Sequence, residues 1–162
     1  MKKILVLVFV IATFGYISCD KSETADAPVA SFTASVLDSS KVAGLSQISI
    51  DSLIKANAPG YFIDIVDGTP VKAYKKMVIF RYGGSSTKFR ALYTGDSSHI
   101  YVDPSNPGNV TTAQSGVDFP NDYLVYTYKV LGTYPSTVVS TNVSSTGKDV
   151  KRAVATKTLV LQ

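Results

Sequence analysis

Few residues in this chain could carry acid–base or nucleophilic chemistry. It has one histidine, His99, and one cysteine, Cys19, and its acidic residues are aspartates except for Glu23. A catalytic serine would need His99 as its general base, yet no G-x-S-x-G segment precedes this histidine. Two aspartates could form the carboxylate pair of a glycosidase, but most stand at turns, where Asp side chains bond backbone amides. We therefore predict a protein that is not an enzyme and has no catalytic residue.

The same composition argues against a bound metal or cofactor. Zinc sites combine several His and Cys ligands, which this chain lacks. Calcium prefers oxygen ligands, and a group of oxygen-bearing side chains does occur within a short stretch. Its members are Asp96, Ser97, Asp103, Asn106 and Asn109. Their spacing matches no calcium loop, and such residues are ordinary in turns, so we predict no metal site and no cofactor.

Aromatic and polar side chains alternate in the stretch Tyr93-Thr-Gly-Asp-Ser-Ser-His-Ile-Tyr-Val-Asp103. Aromatic rings present flat apolar faces to sugar rings, while carboxylates accept hydrogen bonds from hydroxyls. The following segment, Asp103 to Asp122, is rich in Pro, Gly and Asn and reads as a long loop, a feature that is often functional. The candidate ligand-binding residues are Tyr93, Asp96, His99, Tyr101, Asp103 and Tyr123.

The elements around this stretch are predicted to be β-strands. Apolar and polar residues alternate in Val29–Val36, Met77–Tyr82 and Leu124–Val130, as a strand with one buried face requires. Residues 61–66 also read as a strand, and 99–102 as an extended segment. The stretch 37–46 reads as a loop, and 47–56 is either a strand or a short helix capped by Asp51.

The end of the chain has the clearest pattern. Gly132 is predicted to form a turn after the Leu124–Val130 strand, and an extended run follows from Thr133 to Thr141. Asn142 to Gly147 reads as a second turn, and Ala153 to Leu161 as the last strand. In all, the sequence predicts an all-β sandwich of seven to nine strands with a long loop insertion.

Three segments resemble a PKD domain, an Ig-like β-sandwich. The pattern Tyr128-x3-Gly132-Thr133-Tyr134, with Asn142 after it, is similar to the end of that family, and Pro28–Ser35 resembles its opening strand. Phe80-Arg-Tyr-Gly-Gly84 stands where the family usually carries W-x-F-G-D-G, so Phe80 replaces the Trp and Gly84 the Asp. The resemblance implies one PKD-like domain over residues 29–162.

The first residues predict export and lipid attachment. Met1-Lys2-Lys3 precedes an apolar run, Ile4–Ile17, which is shorter than the roughly 20 residues of a membrane span. Residues 1–18 therefore read as a signal peptide. Ile17 and Ser18 before Cys19 resemble a lipobox, so we expect lipid at Cys19 and a flexible tether over residues 19–28. Cleavage by ordinary signal peptidase, for example at Ala25-Asp26-Ala27, is the alternative.

These features resemble Bacteroidota surface lipoproteins, which implies a lipid-anchored protein of the outer membrane, facing the cell surface or the periplasm. The formal charge of +4 includes Lys2 and Lys3 of the signal peptide. The mature chain thus keeps only a mild basic excess, without a Lys/Arg cluster, which argues against nucleic acid as a partner.

The function predicted first is a non-enzymatic binding module for extracellular polysaccharide, with contacts from residues 93–122. The first alternative is a structural spacer or a protein-interaction module of an envelope assembly, lending an edge strand to a partner. A third is an inhibitor-type lipoprotein whose long loop occupies a partner's cleft.

Overall fold

The computed structural model describes residues 24–85, 87–103, 116–119 and 122–162. These residues form nine strands and two α-helices, which confirms the predicted all-β sandwich. The strands are β1 (Phe32–Leu37), β2 (Phe62–Asp64), β3 (Pro70–Val71), β4 (Met77–Tyr82), β5 (Phe89–Tyr93), β6 (Val117–Asp118), β7 (Tyr123–Thr127), β8 (Gly132–Val143) and β9 (Val150–Leu161); the helices are α1 (Ser39–Val42) and α2 (Gln47–Ala56). The predicted signal peptide and the predicted lipidation residue, Cys19, lie outside the described residues.

The strands form two sheets. One has four strands in the order β2-β1-β4-β7, and the other has five in the order β3-β9-β8-β5-β6. Neighbouring strands are antiparallel except for the parallel pair β3–β9. The longest ladder joins β8 to β9 and runs from the pair Gly132–Leu161 to the pair Val143–Val150. This hairpin is the centre of the five-stranded sheet.

The main hydrophobic core fills the space between the two sheets. Alternate residues of β1 and β4 point inward, and Phe80 and Val78 are fully buried there. Leu92, Val138 and Leu159 face them from the five-stranded sheet. The period-two pattern that predicted these strands thus marks the residues that leave water on folding. Of the described aromatic residues, Phe32, Phe80, Phe119 and Tyr128 are fully buried.

A second, smaller core lies on the outer face of the four-stranded sheet. Here α1 and α2 cover Leu37, Met77 and Ile79, so β4 is buried on both faces. The residues of α2 that reach this core, Ile50 and Ile54, follow the helical spacing of four. Helix α1 also occupies the stretch that the sequence analysis assigned to a loop.

Helix α2 begins one turn earlier than predicted. Ser46, not Asp51, is the N-cap, and its hydroxyl oxygen accepts a hydrogen bond from the Ser49 amide at 3.2 Å. Asn57 ends the helix in the left-handed conformation, with φ of 49°. Asn tolerates this conformation better than most residues, which explains why the helix stops there.

The chain end differs from the prediction in two details. Strand β7 stops at Thr127, and Val130 is exposed rather than on a buried face. Gly132 makes no turn, because it is already the first residue of β8 and pairs with Leu161. The second turn was placed correctly but starts later, since β8 continues to Val143, and Gly147 supplies the positive φ of 76°.

The described part of the predicted flexible tether, residues 24–28, is packed against the domain. The Ala25 amide donates to an Asp149 carboxylate oxygen at 2.8 Å, and Asn142 Nδ2 donates to the Asp26 carbonyl at 3.1 Å. Ala25 and Pro28 are buried. The segment from Thr24 onward therefore lies against the end of the β8–β9 hairpin and belongs to the folded domain.

The predicted long loop, Asp103 to Asp122, contains the short strand β6, which pairs with β5 through Asp118–Ala91 and Val117–Leu92. Phe119 follows it and is fully buried in the main core. Most of the remaining loop lies outside the described residues. The predicted extended segment 99–102 is described and is not a strand.

Gly84 occupies a position where a side chain would collide with neighbouring atoms. A Cβ at this position would lie 2.0 Å from the Val29 carbonyl oxygen and 2.3 Å from the Tyr82 hydroxyl. Val29 and Ser85 form a backbone bridge at this point, with N···O distances of 3.0 Å in both directions. Any side chain at position 84 would force the opening segment away from the sheet.

We therefore expect Gly84→Ala to lower the free energy of unfolding by about 1–3 kcal/mol, as overpacking does. Gly132→Ala is the matched control, because the nearest atoms to its added Cβ lie at 3.6 Å and its φ is not positive. The control should be neutral or stabilising by up to about 1 kcal/mol. Urea unfolding of residues 20–162 measures both values, and equal effects of the two substitutions would contradict this account.

Candidate functional site

Tyr93 and Tyr101 meet on the outer face of the five-stranded sheet. Leu92 points into the core, so its neighbour Tyr93 at the end of β5 points outward. The Tyr101 ring packs edge-on against the Tyr93 ring, with centroids 5.3 Å apart and an angle of 68° between the planes. Both rings are half-buried, so each retains an exposed part. The structure thus brings together two of the predicted site residues.

The tyrosine pair lines a shallow groove of about 230 Å³. The other residues that line the groove come together through sheet register, because residues paired across strands share a face. Ala91 lies opposite Val139, and Thr141 lies between Phe89 and Arg152. The Phe89 side chain is 62% exposed, an unusual state for so large an apolar ring. We call this surface, comprising Phe89, Tyr93, Tyr101, Thr141 and Arg152, the tyrosine groove.

The groove contains hydrogen-bond donors as well as apolar faces. Arg152 supplies a guanidinium, and Tyr93 and Tyr101 supply hydroxyls. Burial raises the pKa of Tyr101, and the negative charge of Asp103 and the neighbouring Tyr93 raise it further, while Arg152 opposes them. Tyr101 is therefore a neutral donor at physiological pH. Such a surface can stack on a ring and bond its hydroxyls.

Asp96, by contrast, points away from the groove and into a turn. Its Oδ1 accepts from the amides of Ser98 and His99, each at 3.1 Å, and its Oδ2 accepts from the Tyr126 hydroxyl. The His99 ring packs edge-on against Tyr126, with centroids 6.0 Å apart. Asp96 and His99 thus fix the turn that leads from Tyr93 to Tyr101.

This turn is bound to the core through Thr94. The Thr94 carbonyl accepts from the buried Tyr128 hydroxyl and from the Ser136 hydroxyl, each at 2.8 Å. Burial raises the pKa of Tyr128 far above its ordinary value, so this phenol remains a donor. A Cβ on Gly95 would lie 2.8 Å from the Pro135 backbone, which requires glycine there. The turn therefore has little freedom, and Tyr101 is held over Tyr93.

Tyr123 lies on the other sheet. It belongs to β7, and its ring is 5.4 Å from the Arg81 guanidinium on the outer face of the four-stranded sheet. That face carries the helices, whereas Tyr93 and Tyr101 lie on the outer face of the opposite sheet. Asp103 is exposed at the end of the described segment that follows Tyr101.

The sequence analysis missed Phe89, Thr141 and Arg152. No local pattern joins them, since they lie on three different strands and meet only through sheet register. In the described part of the chain, no three His, Cys, Asp or Glu side chains come close enough to hold a metal ion. Within the same residues, no helix is long and apolar enough to cross a membrane.

The charge of Asp96 should stabilise the fold. Burial acts to raise its pKa, but hydrogen bonds from Tyr126, Ser98 and His99 outweigh burial and hold the pKa below its ordinary value. A lowered carboxyl pKa gives stability that is present above the unfolded-state pKa, near 3.8, and is lost as pH falls through the folded-state pKa.

We therefore expect Asp96→Asn to cost about 1.5–3 kcal/mol at pH 7, the range for hydrogen bonds to a charged group. The loss should shrink as pH falls below about 3.8, because the carboxyl of the unfolded chain is protonated first and that of the folded chain only at lower pH. Urea unfolding across this pH range measures it, with the exposed Asp51→Asn as control. A loss that is the same at all pH values would contradict a role for the charge.

Comparison with known proteins adds no identification of the site. No protein-family model, no curated protein and no solved structure matches the chain. The tyrosine groove is therefore interpreted from its own geometry.

Proposed function

We propose that this protein is a lipid-anchored, non-enzymatic binding module for an extracellular polysaccharide, and that the tyrosine groove is its site. The observation that carries the proposal is the Tyr93–Tyr101 pair, which is half-exposed beside Phe89 on a sheet face that neither of the two described α-helices covers. Aromatic surface next to hydroxyl and guanidinium donors suits a ligand that has both C–H faces and hydroxyl groups.

The shape of the groove supports a chain-like ligand. Pockets that enclose small molecules measure about 300–1,000 Å³, whereas this groove has about 230 Å³. A shallow surface favours a polymer that crosses the sheet and presents one or two of its rings. The rigid turn at Thr94–His99 limits the entropy lost when Tyr101 contacts a ligand.

The proposal includes a location: the chain would be a PKD-like lipoprotein of the outer membrane, held at the cell surface by lipid on Cys19. If lipid is attached to Cys19, six residue steps separate it from Ala25, which is bonded to Asp149. An extended chain covers at most about 3.5 Å per residue, so the β8–β9 turn would lie within about 20 Å of the lipid. The turn end of the sandwich would then face the membrane.

Tyr93→Ala and Tyr101→Ala should each weaken polysaccharide binding at least about tenfold, which corresponds to about 1.4 kcal/mol. The measurement is a panel of polysaccharides tested against residues 20–162 by affinity electrophoresis or calorimetry. Tyr123→Ala is the matched control, because this tyrosine is on the other sheet and its loss should leave glycan affinity unchanged. Saturable binding that survives both groove substitutions would exclude this site, and a panel without any binder would refute the proposed ligand.

The lipid anchor has a separate test. Cys19→Ala should abolish incorporation of labelled fatty acid into the chain and move it from the membrane fraction to the soluble fraction. The fold should be unaffected, since every described core residue lies between Ala25 and Leu161. Labelling that persists in Cys19→Ala would contradict the predicted attachment residue.

A further inference from the structure

Strand β7 forms an open edge of the four-stranded sheet. In the described residues it pairs only with β4. The Tyr128 amide donates to the Lys76 carbonyl and the Tyr82 amide to the Asp122 carbonyl, so the even-numbered residues of this segment direct their backbone groups toward β4. By alternation, the N–H and C=O groups of Tyr123, Val125 and Thr127 point away from the sheet. These groups are available to an added strand.

A second groove, of about 460 Å³, lies beside this edge. Its residues come from α2, from β7, from β4 and from the 3-10 turn Tyr74–Lys76 that precedes β4. They are Gln47, Asp51, Ile54, Lys75, Met77, Tyr123, Val125 and Thr127. Because side chains alternate along a strand, the residues with outward backbone groups are also those whose side chains reach the groove. Val125, at the centre of β7, is 38% exposed.

We propose that the edge of β7 and this groove bind an extended peptide segment of a partner protein. The segment adds as a fifth strand and bonds the outward backbone groups of Tyr123, Val125 and Thr127. Its residues opposite these three direct their side chains to the groove face, where Ile54, Met77 and Val125 favour apolar groups. The partner thus has apolar side chains at alternate positions.

The charge at one end of the groove specifies a carboxylate on the partner. Lys75 and Lys76 are consecutive residues in the left-handed region, with φ of 50° and 57°, a conformation disfavoured for side chains with a Cβ. Lys76 is bonded to the Lys129 carbonyl at 2.6 Å, whereas Lys75 takes part in none of the ion pairs of the described residues. The Lys75 ammonium lies 5.3 Å from the centroid of the Tyr74 ring, and in the described residues no carboxylate pairs with it at the Thr127 end.

Asp51, the other charged residue that lines the groove, and the nearby Arg81 both have hydrogen-bond partners. Arg81 donates to the Ile54 carbonyl at 2.8 Å and lies between the Phe62 and Tyr123 rings. Asp51 accepts from Gln47 Nε2 at 2.8 Å. The complementary charge is therefore a carboxylate near Lys75, supplied by an acidic side chain or by the carboxyl terminus of the segment.

The test begins with selection of nine-residue random peptides, displayed with free carboxyl termini, on immobilised residues 20–162. The expected peptides have apolar residues at alternate positions and a carboxylate at one end. Synthesis with free and with amidated termini then separates the two sources of the carboxylate. The proposal is overturned if no selected peptide has this pattern, or if the chain without peptide already pairs through β7 with a second copy of itself.

Proline substitution distinguishes strand addition from other binding. Val125→Pro removes an outward N–H and leaves the bonds to β4 intact, as edge strands allow. It should weaken a selected peptide at least tenfold. Asp64→Pro is the matched control, because its N–H points outward from β2, the opposite edge of the same sheet, and affinity should change less than twofold. Equal effects of the two prolines would overturn the proposal.

The role of Lys75 is tested with Lys75→Asn, since Asn tolerates the left-handed conformation. Affinity for the selected peptide should fall three- to tenfold and lose most of its dependence on salt. Amide hydrogen exchange gives an independent readout: the peptide should slow exchange at Tyr123, Val125 and Thr127. Protection elsewhere, without these three amides, would overturn the proposed docking mode.

Discussion

The β8–β9 hairpin is the constraint on which the rest of the structure depends. Its unbroken ladder, from Gly132–Leu161 to Val143–Val150, supplies the central strands of one sheet. Strand β5 pairs with one side of it and β3 with the other, and the segment after Thr24 is bonded to its turn. The tyrosine groove lies on its outer face, so Thr141 and Arg152 become neighbours only because this register holds. If the pairing of β8 with β9 shifted by one residue, every side chain of the shifted strand would move to the opposite face of the sheet.

The two outer faces of the sandwich differ in what covers them. Helices α1 and α2 cover the four-stranded sheet with a second core, which buries Met77 and Ile79. The five-stranded sheet has no such cover in the described residues near Phe89, and its outer face instead exposes a ring and two half-buried tyrosines. Exposed aromatic surface of this kind is a feature of binding sites rather than of sheet stability. The proposed polysaccharide site and the β7 edge thus occupy separate surfaces.

The sequence predicted most strands because period-two alternation directly reports burial on one face. It could not predict that β4 is buried on both faces, since the helix covering it comes from another part of the chain. Asp96 and Tyr101 were both predicted as ligand-binding residues, yet their positions differ: Asp96 bonds a turn, and Tyr101 lines the groove. Phe89 and Arg152 were missed because only sheet register brings them together. Local pattern therefore predicts elements, whereas a site depends on their pairing.

The most direct test of the central claim is NMR of residues 20–162 with labelled tyrosine rings, titrated with a polysaccharide that binds. The account predicts that the Tyr93 and Tyr101 ring signals shift together and saturate at the same ligand concentration. Signals of Tyr123, of the buried Tyr128 and of Tyr134 should remain in place. Ligand-dependent shifts confined to those other rings, with Tyr93 and Tyr101 unchanged, would show that the tyrosine groove is not the binding site.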